Sequence, residues 1–284
     1  MPHDPDGDAA RAPFGIVPRD LHFDIVGNAN PAWLDGDPVR SAIVDGFAVM
    51  LPEGERFFIR ALKHYAPKVP DPAVREGVQG YARQEAFHTR EHEAYNAALR
   101  RLGADVDAME ARARRLLDPH TRPIVRLAAT CAIEQITYSF SRAVLGSRLL
   151  EGAAAPYRQL WQWHSLEEVE HSAVALSVFH AAPWSGPRWL KYALRVGVLF
   201  IVIVQLVRGM AGNAATLLAG PDGRLGWRMR LRLGWALLGR PWLARMLFVP
   251  CLAYLKPGYA GGGGRDQDLV ERGRQLLRDD RATA

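Results

Sequence analysis

Two stretches of this chain repeat one spacing. Glu85 and His88 stand three apart, and so do Glu168 and His171. On a helix, positions three apart share a face, so each pair sets a carboxylate beside an imidazole. Two such helices, joined by two others that each supply one Glu, form the donor set of a carboxylate-bridged di-metal bundle. No other feature constrains the fold as tightly. It requires four long helices whose inward faces carry charge.

The punctuation of the sequence supplies those helices. Pro38 opens a helix over residues 38–66, with a kink or restart expected near Leu51 because Pro52 interrupts it. Asp71-Pro72 is an N-cap followed by a first-turn proline, and Gly103 closes the helix that follows. A short charged helix is expected over 107–117. Thr121 and Pro123 open another long helix reaching Leu149, and Pro156 opens the last, reaching Ala181 before Pro183. Sustained period-two runs and Asn-Gly turns are lacking, so strands are not expected. The fold class is all-α: a four-helix bundle with a di-metal centre, plus further C-terminal helices.

Four segments follow. Residues 1–37, acidic and Pro-rich at the start and without an apolar signal core, read as a mobile leader. Residues 38–182 form the bundle, 183–260 a basic apolar extension, and 261–284 a glycine hinge with a polar tail. The chain has 284 residues and is 49% hydrophobic, enough for a sizeable core. Its two cysteines, Cys131 and Cys251, are too few for a disulfide framework or an all-thiolate zinc site.

The remaining donors come from helix-face arguments. Glu134 is a lone acid in an uncharged stretch and shares its face with Leu127, Cys131, Thr137 and Tyr138. A carboxylate on such a face needs a partner. Arg142 is the alternative to a metal. Glu55 shares its face with Leu51, Phe58, Ile59 and Leu62, whereas Glu53 lies with Arg56 and Arg60, so Glu55 is the inward residue. Glu167 competes with Glu168, but Glu168 aligns with both His164 and His171. His92 and His164 continue the two histidine stripes, as additional ligands, as partners orienting a ligand, or as core histidines. Tyr138 is either a donor to the site or core, and Glu91, Glu93 and Glu170 are surface residues or supports. The metal set is therefore Glu55, Glu85, His88, Glu134, Glu168 and His171, with His164 and His92 as further candidates.

The C-terminal part differs in character. Eleven Lys/Arg and the single acid Asp222 lie between Arg188 and Lys256, so this stretch is +10 in a chain of net +6. Only twelve residues separate Arg195 from Arg208, and the stretch from Trp235 to Leu255 is broken by Arg240, Pro241, Arg245 and Pro250. Neither reads as a conventional membrane span of ~20 residues. Both can pack as core helices. Alternatively, the basic residues and Trp189, Trp227, Trp235 and Trp242 suit an anionic membrane surface. Nucleic acid is not expected, because the basic residues are mixed with long apolar runs. The helix over 266–278 is expected to be loosely attached.

The runs LPEGERFFIRAL (51–62), RQEAFHTREHEAYN (83–96), AIEQITY (132–138) and HSLEEVEHSAVA (164–175) resemble a bacterial family labelled predicted metal-dependent hydrolases, placed in the ferritin-like superfamily. The resemblance covers roughly residues 16–260 and implies the same six ligands. The His-x3-Glu-x2-His motif is also similar to p-aminobenzoate N-oxygenase-type di-iron enzymes, which implies His164 as a seventh ligand. After Lys256-Pro257-Gly258-Tyr259 the family pattern often continues His-Pro; here Ala260 and glycines follow. The expectation is a cytoplasmic di-iron oxidoreductase, peripheral on the inner face of the membrane. It would oxidise a hydrophobic or acyl-type substrate with O2 and an electron donor, and a homodimer is one arrangement. Manganese and zinc are the alternative metals. Metal-dependent hydrolysis and non-enzymatic iron binding are the alternative functions.

Overall fold

The computed structural model describes residues 13–220, 223–239, 249, 251–262 and 266–282. It is all-helical. Among the described residues there is no strand, only an isolated bridge between Leu34 and Ala153. The helices are α1 Pro38–Ala48, α2 Leu51–Tyr65, α3 Pro72–Arg101, α4 Val106–Leu116, α5 Pro123–Gly146, α6 Ala155–His171, α7 Val174–Ala181, α8 Arg188–Leu217, α9 Trp227–Gly234 and α10 Gln267–Ala282. A π-helical turn, Trp235–Gly239, continues α9.

The ends of these helices follow from their capping residues. Asp37 accepts hydrogen bonds from the Val39 and Arg40 amides, and Asp71 accepts one from Ala73 at 2.9 Å. Each sits before a proline, which has no N–H to leave unpaired. At the end of α3, Gly103 adopts φ 88°. There Ala104 N–H reaches Leu99 O and Gly103 N–H reaches Arg100 O. That double bond closes the helix and requires a residue free to take positive φ.

α2 packs on α3 and α5 on α6; contacts between α2 and α5 and between α3 and α6 close the ring. The arrangement is compatible with a four-helix bundle. Two large apolar clusters fill it, one around Phe58, Leu62, Tyr81 and Leu127, the other around Trp33, Phe47, Tyr95 and Trp161. α8 lies outside the ring, across α1 and α5.

Several expectations change. The segment read as a mobile leader is packed where it is described. Ile16, Ile25, Trp33 and Leu34 are buried, and Trp33 stacks on Tyr157 at 4.7 Å while its Nε1 donates to Asp45. Residues 1–12 lie outside the described residues. The last bundle helix breaks at Ser172–Ala173 rather than running from Pro156 to Ala181. There Ser172 Oγ donates to Val169 O, and the returning chain passes so close that a Cβ on Gly261 would lie 2.8 Å from Ser172 O. Gly261 and Gly262 thus serve close approach, not only a hinge; Gly263 and Gly264 lie outside the described residues. The polar tail is not loose. α10 packs on α6 and α5 through Leu269, Val270 and Leu277, and Asp266 accepts from Tyr138 and pairs with Arg142.

α8 also runs longer than the charges at Arg195 and Arg208 imply. Arg195 ends nothing, because it is buried over the Tyr254 ring at 4.4 Å. By length and composition the 30-residue helix can cross a membrane, and 17% of its most apolar 18-residue window is buried. Arg240, Pro241, Trp242, Arg245 and Pro250 lie outside the described residues.

Candidate metal centre

α2 contributes Glu55; α3 contributes Glu85, His88 and His92; α5 contributes Glu134; α6 contributes His164, Glu168 and His171. None is more than 2% exposed. The helical spacings place all eight side chains in one interior.

The donors fall into three overlapping sets. His171 Nε2 lies 3.4 Å from Glu85 Oε1, 3.4 Å from Glu134 Oε2 and 3.3 Å from Glu168 Oε2. His164 Nε2 lies 3.3 Å from Glu168 Oε1, and His88 Nδ1 lies 3.9 Å from both Glu85 and Glu168. Three groups have donor atoms close enough to share an ion: Glu85, Glu134 and His171; Glu85, His88 and Glu168; and Glu55, His88 and His164. Glu85 and His88 each belong to two groups, so the groups are contiguous.

Behind the donors lies a ring of residues that fixes their orientation. Tyr81 OH donates to Glu134 Oε1 at 2.7 Å. Gln84 Oε1 is 3.1 Å from His171 Nδ1, which turns Nε2 inward. Glu167 Oε2 is 3.1 Å from His88 Nε2, which turns Nδ1 inward. His92 Nδ1 is 2.8 Å from Glu55 Oε1. Arg19 holds Glu167 and Glu170 from outside, and Gln84 Nε2 donates to Glu170 at 3.0 Å. Such hydrogen-bonded supports set the tautomer and ring direction of metal-binding histidines.

The electrostatics are those of a crowded, dry cluster. Burial, then the charges of Glu168 and Glu134, push the Glu85 carboxyl well above its usual range. Burial and the Glu168 charge push Glu134 up to about 8. Burial opposes ionisation of Glu168 too, but the neighbouring His171 imidazolium overrides it and holds the group at about 2. Burial alone would depress His171; Glu168 and Glu134 raise it to about 9. His88 and His164 are driven well below the usual imidazole range by burial and by neighbouring histidines. One carboxylate and one imidazole form an ion pair while Glu85, Glu134, His88 and His164 are driven toward the neutral state.

The donor atoms themselves test whether metal ions fit. Nine buried side-chain atoms of this cluster have no hydrogen-bond partner: Glu55 Oε2, both Glu85 oxygens, His88 Nδ1, His92 Nε2, Glu134 Oε2, His164 Nδ1, Glu168 Oε2 and His171 Nε2. Buried polar atoms are normally satisfied. Here nine such atoms share one interior, and all are imidazole nitrogens or carboxylate oxygens. Imidazole and carboxylate suit zinc, iron and manganese. The residues present fit two metal ions.

All eight residues singled out in the sequence converge. Glu53 faces Arg56 and Arg114 instead, as its helix face implies. Arg142 does not pair with Glu134 but with Asp266, and Tyr138 also turns away from the site. Glu170 is a buried support; Glu91 is buried but pairs with Arg90 and accepts from the Phe23 amide, and exposed Glu93 pairs with Arg56. Sequence reasoning missed Tyr81, Gln84 and Arg19. Tyr81 and Gln84 had a signal, Tyr81 lying four before Glu85 and Gln84 four before His88 on α3. Arg19 had none, because its partner is 148 residues away.

No curated protein and no solved structure is significantly similar to this chain. The sequence pattern of one family, described as predicted metal-dependent hydrolase, matches residues 17–261. That span takes in every donor and every supporting side chain named above, and the chain belongs to this family of predicted metal-dependent hydrolases.

Proposed function

We propose that this protein is a dinuclear metal-dependent hydrolase acting on a hydrophobic substrate. The observation that carries the reading is the convergence in one interior of nine donor atoms that make no hydrogen bond. Glu134 and His171 would hold one ion, Glu55, His88 and His164 the other, with Glu85 and Glu168 between them. His92, through its bond to Glu55, positions that carboxylate. When bound, two such ions make water a nucleophile near neutral pH and stabilise a developing oxyanion. The chain's own part is to keep the donors aimed inward through Tyr81, Gln84, Glu167 and His92 and to exclude bulk water. It also receives apolar groups in a cavity of about 260 Å³ lined by Leu51, Gly54 and Phe58, which bracket Glu55 on α2.

A second reading is oxidation of the same kind of substrate by O2, with iron and an external electron donor. The observation favouring it is the closely packed histidine set: His164 lies 4.3 Å from His88 and 4.8 Å from His92 between ring centroids. Metal analysis of anaerobically purified protein, followed by esterase and O2-uptake assays, separates the two. Two metals per chain with ester cleavage and no O2 uptake support hydrolysis. Two irons with an O2-dependent optical change and substrate oxidation overturn it in favour of oxidation. Binding of less than one metal per chain overturns both.

A further inference from the structure

The C-terminal half of the molecule exposes what a water-soluble surface normally hides. Along α8, Trp189, Leu190, Phe200, Ile201 and Val204 are 41–66% exposed. Positions 193, 197, 200, 201, 204, 205, 208 and 212 are all exposed, a spacing that draws one stripe along the helix. Trp227 and Leu231 on α9, Trp235 in the π-helical turn after it, and Leu252 are 62–67% exposed as well. The opposite face of α8 is firmly held. Val198 and Leu199 are buried, Asn213 Nδ2 donates to Gly46 O on α1, and Tyr192 OH donates to Leu255 O. The helix therefore presents its apolar side in one direction only. A lone helix crossing a bilayer would meet lipid all round, whereas this one is held along one side by the bundle.

Charge complements this face. The stretch from Arg188 to Lys256 has eleven basic residues and one acid. Arg188, Arg208, Arg228, Arg230 and Arg232 are exposed beside the apolar residues. At the start of α8, Arg188 and Lys191 line a cavity together with Arg195. Arg195 is 1% exposed, has no acidic partner among the described residues, and its Nη1 meets no acceptor.

Two apolar cavities open where this face begins. Ile201, on the exposed stripe, and Leu116 line the cavity of about 260 Å³ between α2, α4, α5 and α8. Exposed Trp235 and Arg232 line a second cavity of about 150 Å³ that shares Phe47 and Leu206 with the first. A hydrocarbon chain entering past Ile201 would meet a mostly apolar lining, with Asp118, Thr121, Arg126 and Gln205 as its polar members.

We propose that the exposed face of α8 and α9 docks in the plane of an anionic lipid bilayer, and that the cavity behind Ile201 takes up a hydrocarbon chain from it. Basic side chains meet the headgroups, and the apolar stripe sits at the acyl boundary. Docking is independent of the reaction catalysed; only the identity of that chain as substrate rests on the two-metal reading.

The test is co-sedimentation of the full-length, metal-loaded protein with vesicles of phosphatidylcholine alone or mixed with phosphatidylglycerol, at low and high salt. Expected is binding to the anionic vesicles, released by salt and by alkaline carbonate. Arg228→Glu with Arg230→Glu should weaken it by at least about 25-fold, taking about fivefold per basic residue lost and leaving aside the repulsion the two new carboxylates add. Phe200→Ser with Ile201→Ser should weaken it independently, with helix content and metal stoichiometry unchanged. Should that pair fail to fold, the charge-reversed variant still decides. A dansyl-labelled undecanoate probe reports the cavity: Ala129→Phe should lower its affinity while leaving vesicle binding intact. Failure to bind anionic vesicles at low salt overturns docking, and equal binding to neutral vesicles does the same. Resistance to carbonate overturns it in favour of a membrane span. A stable dimer that Ile201→Ser converts to monomer overturns it in favour of a second copy covering the face.

Discussion

The interior of the bundle and the outer face of α8 break the usual partition of residues in opposite ways. Inside, Glu85, Glu134, Glu168 and four neighbouring histidines are buried with donor atoms unmatched. Outside, Trp189, Phe200, Ile201 and Trp235 are open to solvent. Burying a charge costs several kcal/mol per ion, and exposing contiguous apolar area invites association. A chain that does both has placed the missing partner of each region outside itself. For the interior the chemistry of the donors names a cation. For the face the basic flank names an anionic surface. Each disagreement with ordinary packing is thus also a statement of what binds.

Removing the partner should hurt most in the interior. With metal at about 1,000 times its Kd, each ion contributes roughly 4 kcal/mol, so two contribute about 8 kcal/mol. Chelation is therefore expected to lower Tm by about 15 °C, read by calorimetry before and after dialysis against a chelator. Glu85→Ala removes the carboxylate common to two donor groups and should drop metal content from two ions per chain to below one, by elemental analysis. The same substitution should leave the stability of the metal-free protein little changed, because deleting a buried acid with two unbonded oxygens offsets the cavity left by the shorter side chain. A metal-free Glu85→Ala protein that is less stable than the metal-free parent would show that the cluster is self-sufficient, and the comparison with the α8 face would fail.

Asp45 provides a buried carboxyl that no cation is needed to explain. It accepts from Tyr95 OH at 2.5 Å and from Trp33 Nε1 at 2.7 Å. Burial pushes it up to about 7, against the lowering effect of those two bonds. Above its unfolded value near 3.8 and below 7, the folded chain keeps this proton and the unfolded chain does not. Its contribution to stability is therefore fully present below about 3.8 and lost as pH rises to 7, roughly 1.4 kcal/mol per pH unit inside the window. Asp45→Asn should remove that slope between pH 5 and 6.5 in denaturant titrations of the metal-loaded protein. An unchanged slope would mean that Asp45 is not the group responsible.

A smaller effect is expected where a support, rather than a donor, is altered. Glu167→Gln keeps the size of the side chain but weakens its hold on His88 Nε2. Loss of such a support lowers metal affinity by about 10–100-fold, measurable by competition with a chromophoric chelator. Stoichiometry should remain two. If Glu167→Gln lost a whole ion and Glu168→Gln did not, the two neighbours would have to exchange roles.

That assignment marks the border of what the sequence reveals. The eight converging residues were legible because helical periodicity is local: Glu55 and Glu53 differ by two positions and hence by opposite faces. Glu168 could be preferred to Glu167 because it aligns with His164 and His171 at once. The role of Glu167 was not legible, since it depends on how α6 is rotated against α3. Arg19 lies in a segment with no periodicity, and its contacts with Glu167 and Glu170 come from tertiary folding alone. The attachment of α10 was hidden for a similar reason. Its polar composition suggests a free tail, but Leu269, Val270, Leu276 and Leu277, with the Asp266–Arg142 pair, dock it. The length of α8 was misjudged because Arg195 was counted as a solvent-facing charge, whereas it is buried.

The smallest predicted effect is on the outer face, and its smallness is what gives it meaning. Leu199 is 1% exposed and Ile201, two residues on, is 62% exposed. Leu199→Ala should cost about 2–5 kcal/mol by emptying a packed position. Ile201→Ala should change stability by less than about 0.5 kcal/mol, since alanine is the better helix former and no native contact of consequence is lost. Equilibrium denaturation of the two variants side by side measures the contrast. An Ile201 that proves as costly to remove as Leu199 would mean that the stripe is already covered in the free protein, and the outer face would then need no partner beyond the chain itself.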